Sequence, residues 1–167
     1  RAKKSIEGAA KSGVSAIKIQ TYTPDTMTID SQSSDFIVNK GLWKGRTLYE
    51  LYSEAYTPFE WHEELFRHAD KCGVTLFSTP FDESAVDLLE SLNTPAYKIA
   101  SFEIVDIPLI KYIAKKNKPI FMSTGMASKV EIEQAVRAVR DTSDSELLLF
   151  HCISSYPAVT KESNLNN

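Results

Sequence analysis

Val74-Thr75-Leu76-Phe77-Ser78-Thr79 is a short apolar run closed by two hydroxyls, and the pattern on its C-terminal side decides the fold. An amphipathic segment comes next, with Ala85, Leu88, Leu89 and Leu92 at helical spacing. A second run then begins, Ala96-Tyr97-Lys98-Ile99-Ala100-Ser101-Phe102-Glu103. The alternation continues through Pro119–Thr124, the stripe Ile132, Ala135, Val136 and Val139, and Leu147–Ser154. Toward the N-terminus, Val14–Thr21 is a further run of the same kind. Strand-like runs rich in Ile, Val, Leu and Phe, alternating with helices over short connectors, predict parallel βα units covered on both faces. Each apolar helical stripe needs a sheet to cover it.

The helices carry start signals. Thr57-Pro58-Phe59-Glu60 and Ser128-Lys129-Val130-Glu131 both fit a capping box, with Pro58 at the favoured first helical position. Leu65, Phe66 and Ala69 then give the first of these helices its apolar face. Asp82 and Asp106 are predicted N-caps, a structural role that outweighs a catalytic one.

An eight-fold barrel of ~250 residues spends about 31 per unit, so this length corresponds to roughly five units. Five strand candidates are present in 167 residues. The expected fold is therefore α/β, a (β/α)8 TIM barrel present as a fragment of about five βα units. Arg1 to Ser12 reads as a helix with no strand before it, and the last run leads into a short polar tail, so both ends are expected to be cut. A free-standing flavodoxin-like sheet is the alternative. It explains less well why polar residues close every strand: Lys18 and Gln20; Ser78 and Thr79; Lys98, Ser101 and Glu103; Ser123 and Thr124; His151, Ser154 and Tyr156. In a barrel these ends converge on one mouth, where active sites of that architecture are built. Helix capping accounts for some of the same hydroxyls.

A long insertion, Pro24 to Tyr56, separates the first strand from the Thr57 helix. It contains a predicted short helix, Thr47 to Ala55, and the aromatics Trp43, Tyr49, Tyr52 and Tyr56. A lid or selectivity element and a packing or oligomer insertion are equal readings of it.

Composition narrows the function classes. A formal net charge of −3 gives no general electrostatic reason to bind nucleic acid or an anionic membrane. The cluster Lys115, Lys116 and Lys118 falls where a helix ends, an ordinary place for cations. No apolar run approaches the ~20 residues of a membrane span, and Arg1 to Lys4 does not lead into a signal-peptide core. A soluble cytoplasmic protein is expected. Cys72 and Cys152 lack metal-ligand spacing and read as reduced, mostly buried thiols.

Two lysines stand out chemically. Lys18 in Ala-Ile-Lys-Ile-Gln-Thr and Lys98 in Ala-Tyr-Lys-Ile-Ala-Ser sit inside apolar runs, where an ammonium is rarely tolerated without a partner. Hydroxyl and amide groups come close after each, so a phosphate or carboxylate cradle is one reading. Snorkelling to solvent, or pairing with Glu103, is the other; the recurrence favours the cradle. Glu103 is the carboxylate expected to face the mouth, as acid, base, hydroxyl-orienting group or neutraliser of Lys98. His62 and His68, six apart on one helix, are poor candidates for a shared metal and read as structural or exposed. His151 closes a strand, and a hydrogen-bonded structural role outweighs a ligand role there. Gly125 in Ser-Thr-Gly-Met permits a tight strand exit and a backbone approach to phosphate. Walker, dinucleotide, zinc and triad patterns are absent.

The ordered motifs Lys-Ile-Gln-Thr, Phe-Ser-Thr-Pro-Phe-Asp, Pro-Ala-Tyr-Lys-Ile-Ala-Ser-Phe-Glu-Ile, Lys-Pro-Ile-Phe-Met-Ser-Thr-Gly-Met and His-Cys-Ile-Ser-Ser-Tyr-Pro run through essentially the whole chain. Together they resemble the sialic acid (N-acetylneuraminate) synthase family. Thr47-Leu48-Tyr49-Glu50-Leu51-Tyr52, followed by Ala55 to His62, looks most like its pseudaminic acid synthase branch. The resemblance implies a TIM barrel that condenses phosphoenolpyruvate with an N-acylated amino-sugar aldehyde, giving a nonulosonic acid and phosphate. In that family a divalent metal, Mn2+ or Mg2+, polarises the aldehyde. The enol carbon attacks, water adds to the resulting cationic centre, and phosphate leaves from a tetrahedral intermediate.

Carried over by motif, Lys18, Thr79, Lys98, Ser101 and Ser123 would bind phosphoenolpyruvate, while Glu103 would face the sugar with Tyr156 close to it. Ser154 stands where family members can carry Asn. The family's first strand with its catalytic glutamate would precede Arg1. The two metal-binding histidines and the C-terminal antifreeze-like domain would come after Asn167, so the metal ligands are expected outside this chain. The whole protein is expected to be a homodimer, and the 167-residue chain alone to be inactive and poorly soluble, with unpaired strand edges and bare apolar faces. N-acetylneuraminate and legionaminate synthases are the alternatives within the family. From another class, a non-catalytic anion-binding or interaction module derived from the barrel is the competitor.

Overall fold

The computed structural model describes residues 1–155 and 158–165, and the chain divides into two compact units, Arg1–Asn93 and Thr94–Asn167. The first unit runs α1 (Ala2–Lys11), β1 (Ala16–Thr21), α2 (Pro24–Met27), α3 (Leu48–Ala55), α4 (His62–Lys71), β2 (Thr75–Pro80) and α5 (Glu83–Ser91). The second runs β3 (Tyr97–Ile99), α6 (Ile107–Ala114), β4 (Ile120–Ser123), α7 (Lys129–Arg140) and β5 (Leu147–Phe150). All five expected strands form, and the pairings within each unit are parallel.

In the first unit β1 pairs with β2 in the register Lys18↔Phe77, Ile19↔Ser78, Gln20↔Thr79 and Thr21↔Pro80. Ile17 and Ile19 pack against a core of Ile6, Leu65, Ala69, Val74 and Leu76, which joins the apolar stripes of α1 and α4 to the strands. Burying each such Leu or Ile contributes roughly 1.5–3 kcal/mol. Because side chains alternate along a strand, Lys18, Gln20 and Thr79 share the opposite face. Gly73, with φ +69°, takes the left-handed turn that ends α4 and leads into β2, and Asn93, with φ +53°, does the same after α5.

In the second unit β4 lies between β3 and β5, with Lys98↔Phe121 and Met122↔Leu149 in register. Tyr97, Ile99, Ile120 and Met122 of the strands are buried, as are Ile110 and Ile113 of α6 and Ala135 and Val139 of α7. Asp82 Oδ1 accepts from Ala85 N at 2.9 Å and Asp106 Oδ1 from Leu109 N at 3.0 Å, so both are the N-caps expected. Ser128 and Glu131 form the predicted capping box of α7.

Three expectations need correction. The run Ala96–Glu103 is a strand only over Tyr97–Ile99, because the chain turns at Ser101 into a 3-10 helix, Phe102–Val105. No capping box forms at Thr57: Phe59–Trp61 is a 3-10 turn, and the Pro58 carbonyl is taken by Trp61 N and His62 Nδ1, each at 3.0 Å. Finally, the strands are not all covered on both faces. Ala16, Lys18 and Gln20 of β1 are exposed, as are Leu148, Leu149 and Phe150 of β5.

Candidate functional site

The second unit holds the more enclosed group. Lys98 sits at the centre of β3 with 9% of its surface exposed. Its ammonium donates to Ser123 Oγ at the end of β4 and to the Ile99 carbonyl, both at 2.6 Å. The Phe150 ring of β5 lies 5.9 Å from Nζ, within cation–π range. Ser123 Oγ also accepts from Cys152 Sγ at 3.4 Å. A buried cation fixed in this way presents positive charge in a low-dielectric setting without reorganising when an anion arrives.

Ser101 is the N-cap of the 3-10 helix after β3 and Glu103 lies within it, close enough to Lys98 to feel its charge. Burial pushes the Glu103 carboxyl above its ordinary range, a bond from its own backbone N–H opposes this, Asp106 adds to the rise, and Lys98 pulls it back. Glu103 Oε2 is buried with no hydrogen-bond partner among the described residues. A carboxylate in this condition is suited to a ligand hydroxyl or to holding a proton. Gly125, with φ +39°, lies against both Ser101 and Ser154: a Cβ there would collide with the Ser101 side chain and stand 2.7 Å from Ser154 Oγ. The glycine thus allows two candidate hydroxyls to close over one backbone position. Tyr156 lies outside the described residues.

In the first unit Lys18 is not the buried lysine the apolar run suggests. It is exposed on β1, although the protein around its ammonium still lowers its pKa by desolvation. Gln20 shares its face, and Thr79, paired with Gln20 and 1% exposed, completes the group. Lys98, Ser101, Glu103, Ser123 and Ser154 therefore cluster in one unit, and Lys18 and Thr79 share a face in the other.

His62, read from the sequence as structural or exposed, is structural. The ring is fully buried, and Nε2 lies 2.8 Å from Thr21 Oγ1, which is itself 2.6 Å from Ser78 Oγ. Its burial against hydroxyls of β1 and β2 is a long-range arrangement that no local pattern announces. His68 instead meets Glu7 at 3.0 Å, and His151 bonds the Ser163 carbonyl at 2.8 Å. Cys72 and Cys152 are free and half-buried. Among the described residues no group of three or more His, Cys, Asp or Glu side chains is placed to hold a metal ion. These residues therefore offer no fit for the Mn2+ or Mg2+ of the resemblance. No helix among the described residues is long and apolar enough to cross a membrane.

Parallel βα units with lysines within the strands, and hydroxyls and a half-buried carboxylate at or after the strand ends, define an α/β protein. The chain belongs to the NeuB family, whose model matches residues 5–167. It is 46% identical over 164 residues to pseudaminic acid synthase of Helicobacter pylori, covering 98% of this chain and 48% of that protein. It is 36% identical to N,N'-diacetyllegionaminic acid synthase of Campylobacter jejuni, covering 98% of this chain and 50% of the relative. The chain thus spans about half the length of these relatives. Among solved structures, the N-acetylneuraminic acid synthetase of Leptospira borgpetersenii, in complex with citrate, superposes with a TM-score of 0.84 at 28% identity, covering 98% of this chain and 52% of that one.

Proposed function

We propose that this chain is the phosphoenolpyruvate-binding part of a nonulosonic acid synthase, with pseudaminic acid the favoured product. The reading rests above all on the buried Lys98 ammonium held by Ser123 Oγ and the Ile99 carbonyl. Likeness at 46% identity to a pseudaminic acid synthase supports the product. The likeness at TM-score 0.84 supports a (β/α)8 barrel in the whole protein.

Lys98 supplies charge to an anionic group of phosphoenolpyruvate, and Ser101 and Ser123 supply hydroxyl donors. On the family resemblance alone, Lys18 and Thr79 of the first unit are proposed to contact phosphoenolpyruvate. Glu103, with one buried oxygen open, takes a hydroxyl of the amino sugar, and Ser154 is proposed as a further substrate contact. Carbon–carbon bond formation draws on the enol of phosphoenolpyruvate, so these residues bind, orient and hold protons rather than form a covalent intermediate. The whole protein is read as a longer, soluble, cytoplasmic homodimer.

Phosphate release by the full-length protein tests this, with phosphoenolpyruvate, manganese and two competing aldehydes, N-acetylmannosamine and a 6-deoxy diacetamido altrose. Preference for the deoxy sugar supports the pseudaminic reading. Preference for N-acetylmannosamine moves the protein to the neuraminate branch, and release with neither overturns both.

A further inference from the structure

On the helix-facing side of β1 and β2, directly behind Gln20 and Thr79, a buried polar chain runs from α4 into the strand ends. The Pro58 carbonyl can only accept, so His62 Nδ1, 3.0 Å away, carries a proton and donates to it. Burial lowers its pKa and so favours the neutral ring. Nε2 is then a lone pair that accepts from the Thr21 hydroxyl, and Thr21 Oγ1 in turn accepts from Ser78. The Ser78 proton has a second acceptor, the Ile19 carbonyl at 3.1 Å. His62, Thr21 and Ser78 are each 0% exposed.

The backbone ladder and the apolar packing of Ile17 and Ile19 against the helices hold these strands, but both repeat along the strand and neither singles out one register. A one-residue slip would carry Lys18, Gln20 or Thr79 to the wrong face. Directional bonds at the last residues of the pair prevent that slip, and a fully satisfied buried polar chain rigidifies the elements it joins.

We propose that His62 is a positioning residue which, through Thr21 and Ser78, fixes the ends of β1 and β2 so that Lys18, Gln20 and Thr79 meet the substrate. The proposal rests on the reading of this chain as a phosphoenolpyruvate-binding one. It predicts a binding defect of a particular kind, unlike the general loss of stability caused by removing an ordinary core side chain.

The experiment uses the full-length protein with His62→Phe, Thr21→Val, their combination, and His62→Gln as the conservative variant. His62→Phe and Thr21→Val should each raise KM for phosphoenolpyruvate about tenfold, with kcat held within about twofold and the sugar KM unchanged. The double variant should be no worse than the poorer single one, because both cut the same chain. His62→Gln should restore part of the KM. Amide hydrogen exchange should quicken at residues 19–21 and 78–79 while α6 and α7 keep their rates. Should His62→Phe fail to fold, Thr21→Val carries the same comparison. Unchanged KM in folded variants, additive effects, or faster exchange spread over the whole chain would overturn the proposal. A wild-type protein that turns over no phosphoenolpyruvate overturns the functional reading and the substrate link together; the exchange arm still decides whether His62 holds the strand ends.

Discussion

The Lys98 ammonium on β3 donates to Ser123 Oγ on β4 at 2.6 Å, so the buried cation of one strand is aimed by the terminal hydroxyl of its neighbour. Ser123→Ala should leave the charge in place but unaim it, weakening phosphoenolpyruvate binding about tenfold. Calorimetric titration of the full-length variant checks this, and wild-type affinity would refute the aiming role.

Lys98→Met separates charge from packing. The variant should lose more than about a hundredfold in phosphoenolpyruvate affinity, since a charge-assisted bond to the ligand disappears. Its melting temperature should hold or rise, because a desolvated ammonium is replaced by a thioether of similar length. A large fall in melting temperature would show that the lysine serves the fold instead.

Glu103 should make stability depend on pH. Its carboxyl is raised by burial, so the native state holds the proton more tightly than the unfolded chain. That contribution is complete below the ordinary carboxylate value and is lost as pH rises through the raised one. Glu103→Gln should therefore melt above wild type at neutral pH, with the gap narrowing in acid, and activity should fall about a hundredfold. Thermal melts across pH give the answer; a gap of constant size would contradict the assignment.

His62 works in the opposite sense. Burial lowers its pKa from 6.5, so the unfolded chain takes up a proton that the native chain resists. Wild-type stability should fall as pH drops below that value, by no more than about 1.4 kcal/mol per pH unit from this group. Denaturant titrations of wild type and His62→Phe between neutral and acid pH measure the difference, and parallel curves would dismiss it.

Gly125→Ala should cost about 2 kcal/mol of stability through its left-handed backbone and the collision with Ser101. Adding Ser101→Gly should recover part of the stability without recovering substrate binding. Chemical denaturation of both variants tests the pair, and no recovery would place the strain elsewhere.

Much of this is legible in the residues. Apolar runs and helical stripes locate all five strands and the long helices, because burial leaves a direct imprint on sequence. Lys98 and Lys18 occupy look-alike runs, yet only Lys98 is enclosed; a run of apolar neighbours does not report what covers the other face of its strand. The early end of β3 is hidden because Phe102 and Ile104 extend the apolar run into a 3-10 turn. Thr47 and Thr57 both begin a Thr-x-x-Glu pattern, and only Thr47 makes the box. At Thr57 the Pro58 carbonyl is taken instead by Trp61 N and by the His62 ring four residues on, local bonds of a 3-10 turn that the Thr-x-x-Glu pattern does not exclude. His62 escapes a sequence reading because its partners, Thr21 and Ser78, lie 41 and 16 positions away.

The closeness of Ser101 and Ser154 to Gly125 also bears on how such a chain can change over time. Every single-base change that alters a glycine codon's meaning brings in a side chain or a stop, and here any side chain strikes Ser101 before it can be tested for use. Drift at this position is therefore blocked unless the two serines shift first, so descendants that lack the glycine should carry a matched remodelling of positions 101 and 154.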